Sequence, residues 1–225
     1  MKNYIKLVVP FLVLSSLFPI SCRRSDWFDI KSDNSLTVPG TLQDFEYLLD
    51  NFSVMNTNSP SLAEVGSDGH YMPETYWASS MYPVERNTYA WTNKLQTLIV
   101  NDWNKSYERI FRCNLVLDGL KKITPLTPKD VEVYNRIKGN ALFHRSKNYY
   151  DLVQIFGQPY KAASAASDLG IVLKEGIDVT EKSKRSSVKE TYDRILTDLL
   201  LAIELLPSTA ALPSRGAKVS AFALL

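Results

Sequence analysis

The stretch from Thr127 to Gly157 constrains the fold of this chain more than any other. Thr127-Pro128-Lys129-Asp130 opens a helix: threonine caps the free N–H groups, proline suits the first turn, and Asp130 meets the positive end of the helix dipole. Val131, Tyr134, Ile137, Ala141, Leu152 and Phe156 follow at helical spacing. Gly157 stops the helix, with Pro159 beyond it. A helix over 128–156 is about 43 Å long, and its apolar stripe needs other helices to cover it.

The chain supplies such partners. Thr41, with Asp44 three residues on, caps a first helix whose apolar face is Leu42, Phe45, Leu48, Leu49 and Phe52. From about residue 94 to 124, Trp103, Tyr107, Ile110, Phe111, Leu117 and Leu120 share a face, and Pro125 closes the helix. Ser187 and Glu190 form a capping box for a helix over 187–206, with a stripe of Val188, Tyr192, Ile195, Leu199, Ala202 and Leu206. A last helix covers 215–225. Its ending, Val219 to Leu225, is apolar, carries no stop signal and needs a partner to pack against. It reads as the middle of a domain, and the chain as the N-terminal part of a longer protein. The fold class is mainly α, with long irregular loops at 53–92 and 158–186.

The N-terminus is of another kind. Lys2 and Lys6 flank a short basic region, and Leu7–Ile20 is uncharged and mostly apolar. Fourteen helical residues reach about 21 Å, short of the roughly 30 Å hydrocarbon core, and Pro10 weakens a spanning helix further. Residues 1–21 therefore read as a signal peptide. Ser21-Cys22 at the cleavage point resembles a bacterial lipoprotein signal, with Cys22 as the lipidated first residue; an ordinary signal peptide with a chance cysteine is the alternative. Residues 22–40 form a polar tether ending in Pro39-Gly40, and 41–225 form the helical domain.

Charge and chemistry exclude several functions. The formal charge is +2, and without residues 1–21, which hold two lysines and no acid, 24 basic groups face 24 acidic ones. Nucleic-acid binders need a basic face, and a neutral chain makes no such case. With Cys22 lipidated, Cys113 has no disulfide partner, and its neighbours Ile110, Phe111 and Val116 suggest a buried, inert thiol. His70 and His144 are the only histidines, which leaves little imidazole for a Cys–His pair or a metal site. No phosphate loop, zinc motif, nucleophile elbow or spaced carboxylate pair is present. The expectation is a protein that is not an enzyme and has no cofactor or metal.

Six aromatics concentrate where the helical period is lost: Tyr71, Tyr76, Trp77, Tyr82, Tyr89 and Trp91. Loops this long are functional or disordered, and such aromatic density argues against disorder. The rings could stack on sugar, with Trp77 the first choice for its large face and its N–H; equally, they could seat the segment on the helices. Trp103, Tyr107 and Asn114 lie on a helical stripe and read as core, Asn114 needing buried partners such as loop backbone. Arg145 and Lys218 read as partners of acids or helix ends.

Several blocks together resemble the SusD/RagB family of outer-membrane nutrient-binding lipoproteins. They are the signal at Cys22 with Trp27-Phe28-Asp29, the Trp103…Tyr107…Ile110…Asn114 helix, and the run Lys138-Gly139-Asn140-Ala141 through Phe156-Gly157-Gln158-Pro159. The fourth block is Val188…Tyr192…Ile195…Asp198-Leu199…Ala202…Leu206-Pro207, then Arg215-Gly216-Ala217-Lys218. Asn140, Leu142 and His144 depart from the family's usual Glu, Arg and Leu. The resemblance implies tetratricopeptide-like helix pairs, a surface-exposed lipid anchor in the outer membrane, and a glycan or oligosaccharide ligand delivered to a SusC-like TonB-dependent transporter. A scaffold or peptide-binding role without sugar is the alternative.

Overall fold

The computed structural model describes residues 39–57, 60–69, 71–79, 82–92 and 101–225. The leader, Cys22, the block at Trp27 and His70 lie outside the described residues. Residues 39–225 form one unit. Its described elements, in order, are α1 (Leu42–Leu49), α2 (Phe52–Met55), α3 (Leu62–Val65), α4 (Glu74–Ser79), α5 (Pro83–Tyr89), α6 (Asn101–Leu120), α7 (Pro128–Phe156), α8 (Val188–Leu205) and α9 (Lys218–Leu224).

Thr41, Thr127 and Ser187 each accept a hydrogen bond from the backbone N–H three residues on, while Asp44, Asp130 and Glu190 accept one from the cap's own N–H. These reciprocal boxes satisfy donors that a helix start otherwise leaves free, so α1, α7 and α8 begin where the sequence places them. Gly157 ends α7 in an extended conformation. The helix expected over 94–124 ends earlier, at Leu120, in a turn through Lys121–Ile123, and Pro125 lies beyond it. Phe52 opens α2 and is exposed; it does not extend the face of α1.

The long helices run antiparallel in chain order. Asn114 of α6 meets Arg145 of α7 and Arg109 meets Asn148, while Arg145 meets Asp198 of α8 and Gln154 meets Tyr192. Two apolar clusters result. Ile110, Leu142, Tyr149, Leu152, Ile195 and Leu199 fill the space between α6, α7 and α8. Phe45, Leu49, Cys113, Val116, Leu120 and Ile137 join α1 to the same two central helices. Cys113 is fully buried, and that burial pushes its thiol up to about 12, as expected of an inert packing residue.

The segment 53–92, expected to be irregular, carries four short helices among its described residues, the first opening at Phe52. Each is seven residues or fewer, too short to show a period and too short to persist without tertiary contacts. The segment 158–186 is irregular, with one antiparallel bridge between Leu169 and Ser187. It lies along α6 and α7: the Asn114 amide donates to the carbonyls of Lys174 (2.7 Å) and Gly176 (3.3 Å), the Tyr149 hydroxyl donates to Lys174, and the Tyr107 hydroxyl donates to Val172 (2.7 Å). At α9, Ala221 is buried and Leu224 half-buried, while Val219, Phe222 and Leu225 are exposed. Among the described residues, no helix is long and apolar enough to cross a membrane.

Candidate binding surface

Two buried groups on α6 hold the aromatic segment in place. The Asp102 carboxylate accepts from the backbone N–H groups of Ser61 and Leu62, both at 2.8 Å, fixing the start of α3. The Arg109 guanidinium donates to the carbonyls of Val54 (2.9 Å) and Thr57 (2.6 Å) and to Asn148 of α7 (3.2 Å), fixing the end of α2. Bonds to charged groups are the strong ones. Neither residue stands out in the sequence, because each acts on backbone some 40–55 residues away and leaves no local pattern.

From that anchored base, α3 packs on α5, and the aromatics divide into two kinds. Trp77 and Tyr89 are half-buried and bond inside the segment. The Trp77 indole donates to the Arg86 carbonyl at 3.2 Å, and the Tyr89 hydroxyl accepts from the Met72 N–H at 2.9 Å. The N–H that recommended Trp77 for a ligand hydroxyl is thus engaged within the chain. Tyr71, Tyr76, Tyr82 and Trp91 face solvent, with Tyr71 81% and Trp91 77% exposed.

Trp91 differs from the rest. It is the only described non-glycine residue with a left-handed backbone (φ 52°), a conformation that costs a bulky residue on the order of 1–3 kcal/mol. Its N–H donates to the Thr88 carbonyl and its indole N–H to the Gly66 carbonyl, both at 3.0 Å. A large aromatic face is therefore held in one orientation at the surface, across the junction of α3 and α5. Apolar faces of sugar rings, nucleobases or aromatic peptides could stack on it.

A concavity of about 360 Å³ runs between α6 and the segment 172–183. Trp103, Tyr107 and Phe111 form its wall, and Lys174 and Asp178 contribute its charged groups. Trp103 packs on Tyr107 (4.8 Å between centroids) and edge-on against Phe156 (5.1 Å). Asn114 belongs to the core, as expected: besides its bonds to loop backbone, its carbonyl oxygen accepts from Arg145 at 2.9 Å. Trp103 and Tyr107 are only half-buried, because both line this groove, which 172–183 leaves open. Asn140, where the family usually has Glu, accepts from the Gly216 N–H at 2.8 Å and so fixes the approach to α9. Among the described residues, no group of three or more His, Cys, Asp or Glu side chains is placed to hold a metal ion.

Comparison with known proteins decides the family. A SusD-like family, described as starch-binding and associating with the outer membrane, matches residues 26–225. The chain belongs to the SusD-like family. Among solved structures, it is similar to a candidate sugar binding protein from Bacteroides vulgatus, at 26% identity and a TM-score of 0.66 over 84% of this chain and 42% of that one. A laminarin binding SusD-like protein aligns at 19% identity and a TM-score of 0.61, over 81% of this chain and 38% of that one. Surface glycan-binding protein A from Bacteroides fluxus aligns at 17% and 0.62, over 83% of this chain and 39% of that one. The last two share the fold with this chain. The chain spans about two fifths of the length of these proteins. No curated protein matches it.

Proposed function

We propose that this SusD-like chain is the N-terminal part of a lipid-anchored outer-membrane protein that captures a glycan and passes it to a SusC-like TonB-dependent transporter. The observation that carries the reading is Trp91. Its strained backbone and its indole bond to Gly66 hold an exposed ring in a fixed orientation, so a planar ligand meets a platform already in place. Tyr71, Tyr76 and Tyr82 are exposed in the same segment and extend the aromatic surface available to a chain of sugars. The family description and the glycan-binding names of two structural neighbours support a carbohydrate ligand. The action is binding, without catalysis. Trp77 and Tyr89 serve to build the segment, which is the part of the scaffold reading that their internal hydrogen bonds favour.

Affinity electrophoresis of the full chain against soluble starch, laminarin and other glycans tests the ligand. Trp91→Ala is expected to weaken retardation by about tenfold or more, in line with the loss of one stacking platform, and Tyr71→Ala to weaken it less. Retardation by no glycan, or wild-type retardation in both variants, would move the reading to a scaffold without sugar. Anchoring is tested separately. Cys22→Ala should release the protein from membranes on fractionation, because stable attachment needs more than one acyl chain or signal; continued tight association would exclude lipidation at Cys22.

A further inference from the structure

Another pocket, about 210 Å³, lies between the end of α2, α6, α7 and the segment entering α9. Asn56, Arg109, His144, Lys147, Ser214 and Arg215 supply most of its polar lining. It contains none of the surface aromatics. Among the described residues, four buried side-chain nitrogen or oxygen atoms have no protein hydrogen-bond partner, and two of them, Asn56 Nδ2 and His144 Nε2, belong to this one pocket. Buried polar groups are almost always satisfied, so two unpartnered ones on the same pocket call for a shared occupant.

The lining chooses the occupant's chemistry. Asn56 offers an amide N–H, and His144 offers a second N–H once protonated. Three cationic side chains, Arg109, Lys147 and Arg215, stand around them. Two of the three are committed within the chain: Arg215 pairs with Asp50 at 2.5 Å and Glu46 at 2.8 Å, and Arg109 donates to Val54, Thr57 and Asn148, whereas Lys147 spends one of its three N–H donors on Asp151 at 2.8 Å and has others to offer the pocket. The volume exceeds that of a few waters, about 30 Å³ each, and falls below that of a typical drug-sized site. We propose that this pocket binds a small oxyanion, a carboxylate or phosphate group, between Asn56, His144 and Lys147. His144 is 5% exposed, and an oxyanion there would accept a hydrogen bond from its protonated ring.

The full chain labelled at histidine Cε1 gives two imidazole signals, one for each histidine, and His144→Gln assigns them. Titration with acetate or with inorganic phosphate, at ionic strength matched with chloride, should raise the midpoint of His144 from about 4 by about one unit, a tenfold preference of the anion for the protonated ring. His70 should not respond. A response to acetate alone identifies a carboxylate site, and one to phosphate alone a phosphate site; either supports the proposal. Asn56→Leu should abolish the response. Asn56→Asp, which keeps a polar side chain, should raise the midpoint without added anion and remove the response to it. The proposal is overturned if neither anion moves His144 beyond the chloride control, if glucose moves it equally, or if Asn56→Asp responds like the wild type, since the pocket would then hold only water.

Discussion

Arg145 and Asp198 face each other across the α7–α8 interface in a two-pronged ion pair. Nε and one Nη of the guanidinium donate to the two carboxylate oxygens at 2.7 and 2.8 Å. Both side chains are almost fully buried, and the second Nη donates to Asn114 on α6, so three helices share one guanidinium. Arg194 approaches Asp198 from the rim at 3.5 Å. Removing one partner from a buried pair leaves an uncompensated charge, at a cost of about 3–5 kcal/mol. Asp198→Ala should destabilise by that amount in urea denaturation. Arg145→Met with Asp198→Leu should lose clearly less than the single change; an equal or larger loss in the double variant would show that the pair is more than a self-compensating unit.

Gly119 on α6 exists for the ring of Phe45. A Cβ at Gly119 would lie 2.1 Å from Phe45 Cζ and 2.4 Å from Cε1, well inside contact distance. Gly119→Ala would gain about 1 kcal/mol of helix propensity, but the overpacking costs about 1–3 kcal/mol or more. A lower melting temperature is expected, and Phe45→Leu in the same chain should recover part of it. A rise in melting temperature for Gly119→Ala alone would contradict the packing.

Asp102 acts on the binding surface from below. Asp102→Ala removes two charge-assisted bonds to the Ser61 and Leu62 N–H groups, worth about 1.5–3 kcal/mol each. Hydrogen exchange should quicken across residues 60–92 while α7 and α8 keep their protection, and any glycan affinity should fall although no ring has been altered. Uniformly faster exchange in all helices would mean that Asp102 holds the whole domain and has no special hold on the segment.

His144 makes the fold acid-sensitive. Burial, followed by the charges of Lys147 and Arg109, lowers its pKa from 6.5 to about 4, with Asp50 opposing. The unfolded chain therefore takes up the proton first as the pH falls. The stability tied to the neutral ring is complete above about 6.5 and is lost as the pH drops toward about 4, amounting to about 3 kcal/mol. His144→Leu, the residue more usual in the family, should flatten this part of the stability profile in denaturant melts at pH 7 and pH 4.5. An unchanged slope would assign the acid sensitivity to other groups.

The local signals in the sequence were enough for the long elements. The boxes at Thr41, Thr127 and Ser187 place the starts of α1, α7 and α8, because capping is settled within four residues. The expected role of Asn114 as a core amide bonded to loop backbone holds for a similar reason: a polar residue on an apolar stripe must find partners. What only the tertiary structure decided is which side chains reach across the chain. Both indole N–H groups donate to backbone carbonyls, Trp77 to Arg86 and Trp91 to Gly66 25 residues away, but Trp91 emerges over Trp77 because packing leaves its ring exposed and that of Trp77 half-buried. Asp102, Arg109 and the pocket at His144 join segments 40 to 165 residues apart. Helical periodicity and capping arise between neighbours in sequence and can be read there. Pairings between distant segments depend on how the helices stack, and no short-range pattern encodes them.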